Sequence, residues 1–231
     1  MDGTPIYPSY ETTDVIICGC GPTGAILSAH LGRANVTNIV LEKQADISTD
    51  PRGIALDEDG IRALQSVGLY NKVYSEIGRC LGAIHFISGT QQRLNKAPFL
   101  RINFNTTEGG TGHVGGMSHK QPALEANLRL AMKSTSNSSL RVGSTMTSIS
   151  EDDDWVSVTY DDEQGIEHRL KSKFLVGADG KTGFTRKKYL EPRGIRMEQA
   201  SLSVLSEQIL CSKVMLTSTN LEHLIKRFGW L

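Results

Sequence analysis

The chain has 231 residues, room for one large or two small domains, and 39% are hydrophobic, enough for a sizeable core. Its 25 Lys and Arg balance 25 Asp and Glu, and no long basic run occurs, so composition excludes a nucleic-acid partner as the leading idea. Four cysteines, Cys18, Cys20, Cys80 and Cys211, form no C-x-x-C pair; they are expected as reduced thiols, with no metal site. The opening "MDGTPIYPSYETTD" is polar and acidic rather than a signal peptide, and no apolar run approaches the ~20 residues of a spanning helix. The expectation is a cytoplasmic protein with no membrane span.

Residues 1–12 read as a loose arm. "DVIICGC" (14–20) is a continuous apolar run of the kind buried on both faces of a sheet, "GPTGAILSAHLGRA" (21–34) turns helical, and "TNIVLEK" (37–43) is a second strand. Together they form a β-α-β unit. Asp57 suits the N-cap of a helix that carries Ile61 and Leu64 on one face and ends at Gly68. "NKVYSEIG" (71–78) predicts a short helix. In 79–118, β-like runs ("AIHFIS", "FLRINFN") are broken by "GGTGHVGGM". "KQPALEANLRLAMK" (120–133) is helical, with Leu124, Leu128, Ala131 and Met132 on one stripe. Residues 134–139 read as a loop. From Leu140 the sequence alternates as an antiparallel meander, with an acidic hairpin edge at Glu151–Asp154 and a turn at Gln164–Gly165, and the chain is delivered to a buried strand, Phe174–Val176.

Chemistry concentrates in two glycine-rich stretches. "GCGPTG" places Gly19 at a tight turn, Gly21 where a backbone can approach a pyrophosphate, and Gly24 where helix and strand must pack closely. Glu42 ends the second strand, 18 residues after Gly24, where a carboxylate accepts hydrogen bonds from ribose hydroxyls and repels a 2′-phosphate. These features point to a dinucleotide without a 2′-phosphate, NAD or FAD.

"GCGPTG" (19–24), "VLEK" (40–43), "PRGIAL" (51–56), "QPALEANL" (121–128) and "GADGKTGFTR" (177–186) stand in one order along residues 14–195. In that order they resemble the group A FAD-dependent aromatic hydroxylases, most closely those of the phenol hydroxylase-like type in fungal secondary metabolism. The resemblance implies an α/β, Rossmann-like FAD-binding fold with a β-meander crossover and part of a smaller α+β substrate region. The FAD-binding domain would comprise 13–80 and 119–195, the substrate side 81–118, and a divergent or truncated segment 196–231. It further implies that Gly19, Gly21 and Gly24 cradle the FAD diphosphate and Glu42 binds the adenosine ribose. Arg52, with Gly53, would reach the flavin side, Gln121 the middle of the cofactor, and Asp179 with Gly180 the FAD region and the transient NAD(P)H. Arg186 would add positive charge near phosphate. The family's Ser within the last motif is Gly183 here.

The activity implied is monooxygenation: NAD(P)H reduces FAD, and one oxygen atom of O2 is delivered to an aromatic or polyketide-type substrate. No catalytic residue is assigned; His85, His113 and His119 are polar candidates on the substrate side. The family's further Gly-Asp motif, which holds the flavin ring, is missing, since no Gly-Asp pair occurs. The C-terminus is therefore expected to be truncated or altered. A non-catalytic FAD- or ADP-binding remnant, or a partner protein, is the alternative. An NAD-dependent dehydrogenase is a third, though Tyr70 and Tyr74 offer no Tyr-x-x-x-Lys. The oligomeric state is not legible.

Overall fold

The computed structural model describes residues 9–49, 55–87, 97–105 and 111–195, together with the backbone of 215–217. Strand β1 (Glu11–Cys18), helix α1 (Pro22–Arg33) and strand β2 (Asn38–Leu41) form the expected β-α-β unit. β1 starts earlier than its apolar run because Glu11, Thr12 and Thr13 pair with Leu170, Lys171 and Ser172. Strand β3 (Ala55–Asp57) leads into α2 (Glu58–Ser66). The Asp57 carboxylate caps α2 by accepting from the Gly60 N–H at 2.8 Å. Ile61 and Leu64 are fully buried, and Gly68, at φ +82°, ends the helix in the left-handed conformation.

The short helix expected over 71–78 is α3 (Tyr70–Lys72), continued by a wider π-type turn, Val73–Ile77. Gly78 already belongs to strand β4 (Gly78–Cys80). Strands β5 (Ala83–Phe86) and β6 (Leu100–Asn103) pair as a separate antiparallel ribbon. Then come β7 (Gly116–His119), α4 (Gln121–Lys133) and β8 (Ser138–Arg141). The meander is built from β9 (Thr145–Glu151), β10 (Val156–Asp161) and β11 (Glu167–Gly177). Helical turns cover Thr185–Leu190 and Glu191–Arg193, and β12 spans Met215–Thr217.

The main sheet runs β8-β2-β1-β11-β10-β9. The first four strands are parallel and the meander is antiparallel. β12 adds antiparallel to Leu175–Gly177, beyond the point where β10 stops pairing. A second sheet orders β3-β7-β4.

β7 and β8 are among the strands that were not expected. β8 lies partly in the stretch read as a loop, because "SSLR" lacks β-branched residues. It is held by the side chain of Asn38, which is buried: its amide donates to the Asn137 carbonyl at 3.2 Å and Ser138 Oγ at 3.1 Å, while its own oxygen accepts from Ser28 on α1. A buried amide with all its capacity used costs little and fixes one arrangement. β7 falls in a run read as a breaker. A side chain at Gly116 would meet the Phe104 ring at 3.0 Å and Leu81 at 3.1 Å, so that glycine serves packing rather than a turn.

β1 divides the core by its alternation. Val15 and Ile17 face α1, α2 and α4, while Ile16 and Cys18 face the meander. Leu124, Leu128, Ala131 and Met132 of α4 are buried as their stripe predicts. Complete burial of each leucine stabilises by about 1.5–3 kcal/mol.

Candidate functional site

The carboxyl ends of β1, β2 and β11 bring the two glycine-rich stretches together. Parallel register places Cys18 opposite Gly177, and the Ala178 N–H donates to the Cys18 carbonyl at 2.7 Å. Gly19 turns the chain at φ +97°, a conformation that favours glycine. A Cβ there would also meet the Ala178 oxygen at 2.5 Å and Asp179 Cα at 2.8 Å. A Cβ at Gly24 would overlap the Gly19 carbonyl oxygen and lie 3.3 Å from Ala178 Cβ. The loop after β11, the loop after β1 and the first turn of α1 thus touch backbone to backbone.

Gly21 is different. It is the N-cap of α1 at φ −67°, and a Cβ there would meet nothing within 4 Å. No side chain caps this helix end, and its first turn carries no acidic residue. Its amide groups and the positive end of its dipole therefore face open space, which suits an anion. Beside them, Glu42 accepts from the Cys20 N–H at 2.7 Å and from the Gln44 N–H at 2.9 Å. These bonds orient the carboxylate at the end of β2 and leave it further acceptor capacity. A glycine cradle, free helix amides and an oriented carboxylate are the donor and acceptor set that an adenine dinucleotide requires.

The other expected ligands are placed with different partners. Asp179 accepts from the Thr185 N–H at 2.8 Å and from the Cys18 thiol at 3.5 Å, so its carboxylate turns back into its own loop. Gly183 makes that possible, because a Cβ at 183 would overlap the Asp179 carboxyl carbon. Gly180, at φ +81°, borders open space. Gln121 begins α4 and donates to Glu125 at 2.6 Å. Arg186, expected near phosphate, instead donates to Glu191 at 3.0 Å. Arg52 and Gly53 lie outside the described residues.

Among the histidines, His85 is exposed, whereas His113 is buried with Nε2 2.9 Å from Gln65 Oε1. His119 is buried on β7, and its pKa is lowered by that burial. Among the described residues no cluster could hold a metal ion, and no helix is long and apolar enough to cross a membrane.

Sequence reasoning missed Glu125 and Arg129. With Gln121 they form an i, i+4, i+8 stripe along α4. Glu125 is 6% exposed, and Arg129 is half-buried with its Nε lacking a hydrogen-bond partner. Both lie close enough to Cys20 to influence its thiol. Burial pushes that thiol up to about 11, Arg129 acts to lower it, and Glu42 and Glu125 add to the rise. The four-residue spacing of Gln121, Glu125 and Arg129 along α4 was the signal that could have found them.

Comparison with known proteins agrees with this architecture. The family model described as "FAD binding domain" matches residues 12–227. A 3-(3-hydroxy-phenyl)propionate/3-hydroxycinnamic acid hydroxylase of Comamonas testosteroni is 30% identical over 179 residues, covering 78% of this chain and 29% of the relative. A probable NADH-specific resorcinol 4-hydroxylase of Rhodococcus jostii is 30% identical over 177 residues, covering 76% and 32%. This chain therefore spans about a third or less of the length of these curated relatives. The crystal structure of p-nitrophenol 4-monooxygenase PnpA from Pseudomonas putida superposes with a TM-score of 0.68 at 22% identity, covering 77% of this chain and 44% of PnpA. The flavin-dependent monooxygenase PieE, solved with FAD and substrate, gives 0.64 at 22% identity, covering 76% and 31%. With the glycine cradle, the β-meander and a family match over nearly its whole length, this chain belongs to the FAD-binding domain family, whose members include FAD-dependent aromatic hydroxylases.

Proposed function

We propose that this chain forms the nucleotide-binding part of an FAD-dependent monooxygenase that uses NAD(P)H and O2 to hydroxylate a phenolic or polyketide-type aromatic ring in secondary metabolism. The observation that carries the proposal is the contact of the Gly19–Gly24 turn with the 177–180 loop beneath an uncapped helix N-terminus. Gly21 and the first amides of α1 hold the diphosphate, and Gly19 and Gly24 let the backbones come close enough to shape its seat. Glu42 accepts from the adenosine ribose. Gln121 approaches the cofactor from α4, and Arg52 and Gly53, outside the described residues, are assigned to its flavin side. Asp179 keeps its loop folded, so that Gly180 borders the cofactor.

Bound FAD supplies the redox and oxygen chemistry; the protein's share is to bind, orient and exclude water. The substrates named for the two relatives are phenols, which favours an electron-rich ring, and one of them is named NADH-specific. Residues 13–80 and 119–195 serve the cofactor, and 81–118 the substrate side. A reducing compartment such as the cytoplasm suits the free thiols Cys18, Cys20 and Cys80.

A second reading is an FAD- or ADP-binding protein without turnover. The test is a visible spectrum of the purified protein and a titration with FAD, then NAD(P)H oxidation with and without a phenol. Flavin binding with phenol-stimulated oxidation supports the monooxygenase. Flavin binding without oxidation supports the second reading. A protein that neither carries nor takes up FAD refutes both.

A further inference from the structure

A cleft of about 520 Å³ opens between the segment after β2 and α4, lined by Asp46, Ile47, Ala126, Arg129, Leu130 and Lys133. It adjoins the glycine turn, because Cys20 Sγ lies 4.0 Å from Met132 Sδ on α4, one turn from Arg129. Two cations line it against one carboxylate. Among the described residues Arg129 makes no ion pair, and its Nε is buried without a hydrogen-bond partner. A half-buried guanidinium whose interaction is with a neutral thiol, and whose Nε has no partner, is costly to keep unless something in the cleft accepts its hydrogen bonds. The glycine turn itself supplies only backbone dipoles, with no Lys or Arg between Gly19 and Gly24.

We infer that this cleft is an anion subsite for the phosphate-bearing part of an adenine nucleotide, with Arg129 as its anchoring cation and Lys133 at its outer rim. The inference rests on the proposed function, since the nucleotide is the one seated at the α1 N-terminus. Helix amides alone bind phosphate through partial charges, whereas a guanidinium adds a full charge and a planar pair of donors. The Gln121–Glu125–Arg129 stripe sets this geometry. Glu125 is engaged by Gln121, and the Arg129 side chain interacts with the Cys20 thiol while its Nε keeps no partner among the described residues.

The experiment compares binding of ADP, adenosine and FAD to the wild type, Arg129→Met, Arg129→Lys and Lys133→Gln, by calorimetry and flavin fluorescence at low and high salt. Folding of each variant is monitored by thermal melting. The expected result is about a tenfold or greater loss of ADP and FAD affinity in Arg129→Met, little change for adenosine, and partial recovery in Arg129→Lys. Lys133→Gln should flatten the salt dependence of ADP binding with a smaller loss of affinity. Arg129→Met and Lys133→Gln binding ADP as the wild type does would overturn the inference while leaving the proposed function standing. A wild type that binds neither FAD nor ADP refutes the proposed function itself. Should Arg129→Met fail to melt cooperatively, Arg129→Lys and the salt dependence decide, and unchanged ADP affinity in Arg129→Lys with no salt dependence overturns the subsite.

Discussion

Replacing Gly21 and Gly24 separately by alanine should split binding from folding, although the two glycines lie in the same turn of chain. At Gly24 the new methyl group would overlap the Gly19 carbonyl oxygen and lie 3.1 Å from its carbon and 3.3 Å from Ala178 Cβ. Two of these atoms are backbone, so α1 must move away from both loops. Overpacking of this kind costs about 1–3 kcal/mol, and the helix propensity of alanine returns up to about 1 kcal/mol. The net loss of about 1–2 kcal/mol lowers Tm by roughly 2–8 °C in a chain of this size. At Gly21 the methyl group meets nothing within 4 Å and the backbone, at φ −67°, accepts any residue. Its effects on the cap and on the unfolded chain oppose one another at about 0.5 kcal/mol each, so Tm should stay within ~2 °C. That methyl group nevertheless stands in the path of a diphosphate, and FAD affinity should fall at least about tenfold, or 1.4 kcal/mol. Thermal melts and fluorescence titrations of both variants measure the two effects. Wild-type FAD affinity in Gly21→Ala would place the diphosphate elsewhere, and wild-type melting of Gly24→Ala would refute the backbone contact.

Asp179→Ala removes the acceptor of the Thr185 N–H and should cost about 1–2 kcal/mol and weaken FAD binding, with Asp179→Asn intermediate; equal urea midpoints for all three would show that the carboxylate is not holding the loop. The depressed pKa values of His119 and His30, caused by burial and for His30 also by Arg33, link stability to pH. Their unfolded forms, near 6.5, take up protons first, so this stability is full above that value and is lost as pH falls toward the folded values. Urea midpoints should therefore drop from pH 8 to pH 5.5, and less so in His119→Gln; an identical drop in that variant would remove His119 from the account. Native iodoacetamide labelling at pH 8 should spare Cys18 and Cys20, both raised by burial, and modify the half-exposed Cys80 before either of them, as read by peptide mass spectrometry. Early labelling at Cys20 would mean that the glycine turn opens.

Legibility in the sequence depended on how local each feature's cause was. The N-cap at Asp57, the end at Gly68 and the apolar stripe of α4 depend on neighbours within a few residues, and the structure contains them as expected. The glycine turn was legible because its glycines stand between an apolar strand and a helix, and the structure contains that strand, turn and helix. β8 was not, since it forms through Asn38, 100 residues from Ser138. The direction of Asp179 was also hidden: its partners are a backbone amide six residues on and a thiol 161 residues back. Arg129 escaped notice because a cation on a helix ordinarily points to water, and its four-residue spacing from Glu125 gains meaning only beside its orphaned Nε and the adjoining cleft.

The divided edge of β11 bears on where this family can tolerate insertions and deletions. Its first half pairs with β10 and its last three residues with β12, while the stretch from Leu170 to Gly177 is matched to β1 on the other side. The hairpin tip at Gln164–Gly165 is exposed and can change length without moving either end of that match. A single residue gained or lost between Leu170 and Gly177 cannot be absorbed in this way. It would shift the loop at Ala178 by about 3.3 Å along β1 and turn every later side chain of the strand to the opposite face. Length variation among homologues should therefore gather at the tip, and the last turns of the strand should keep a fixed count.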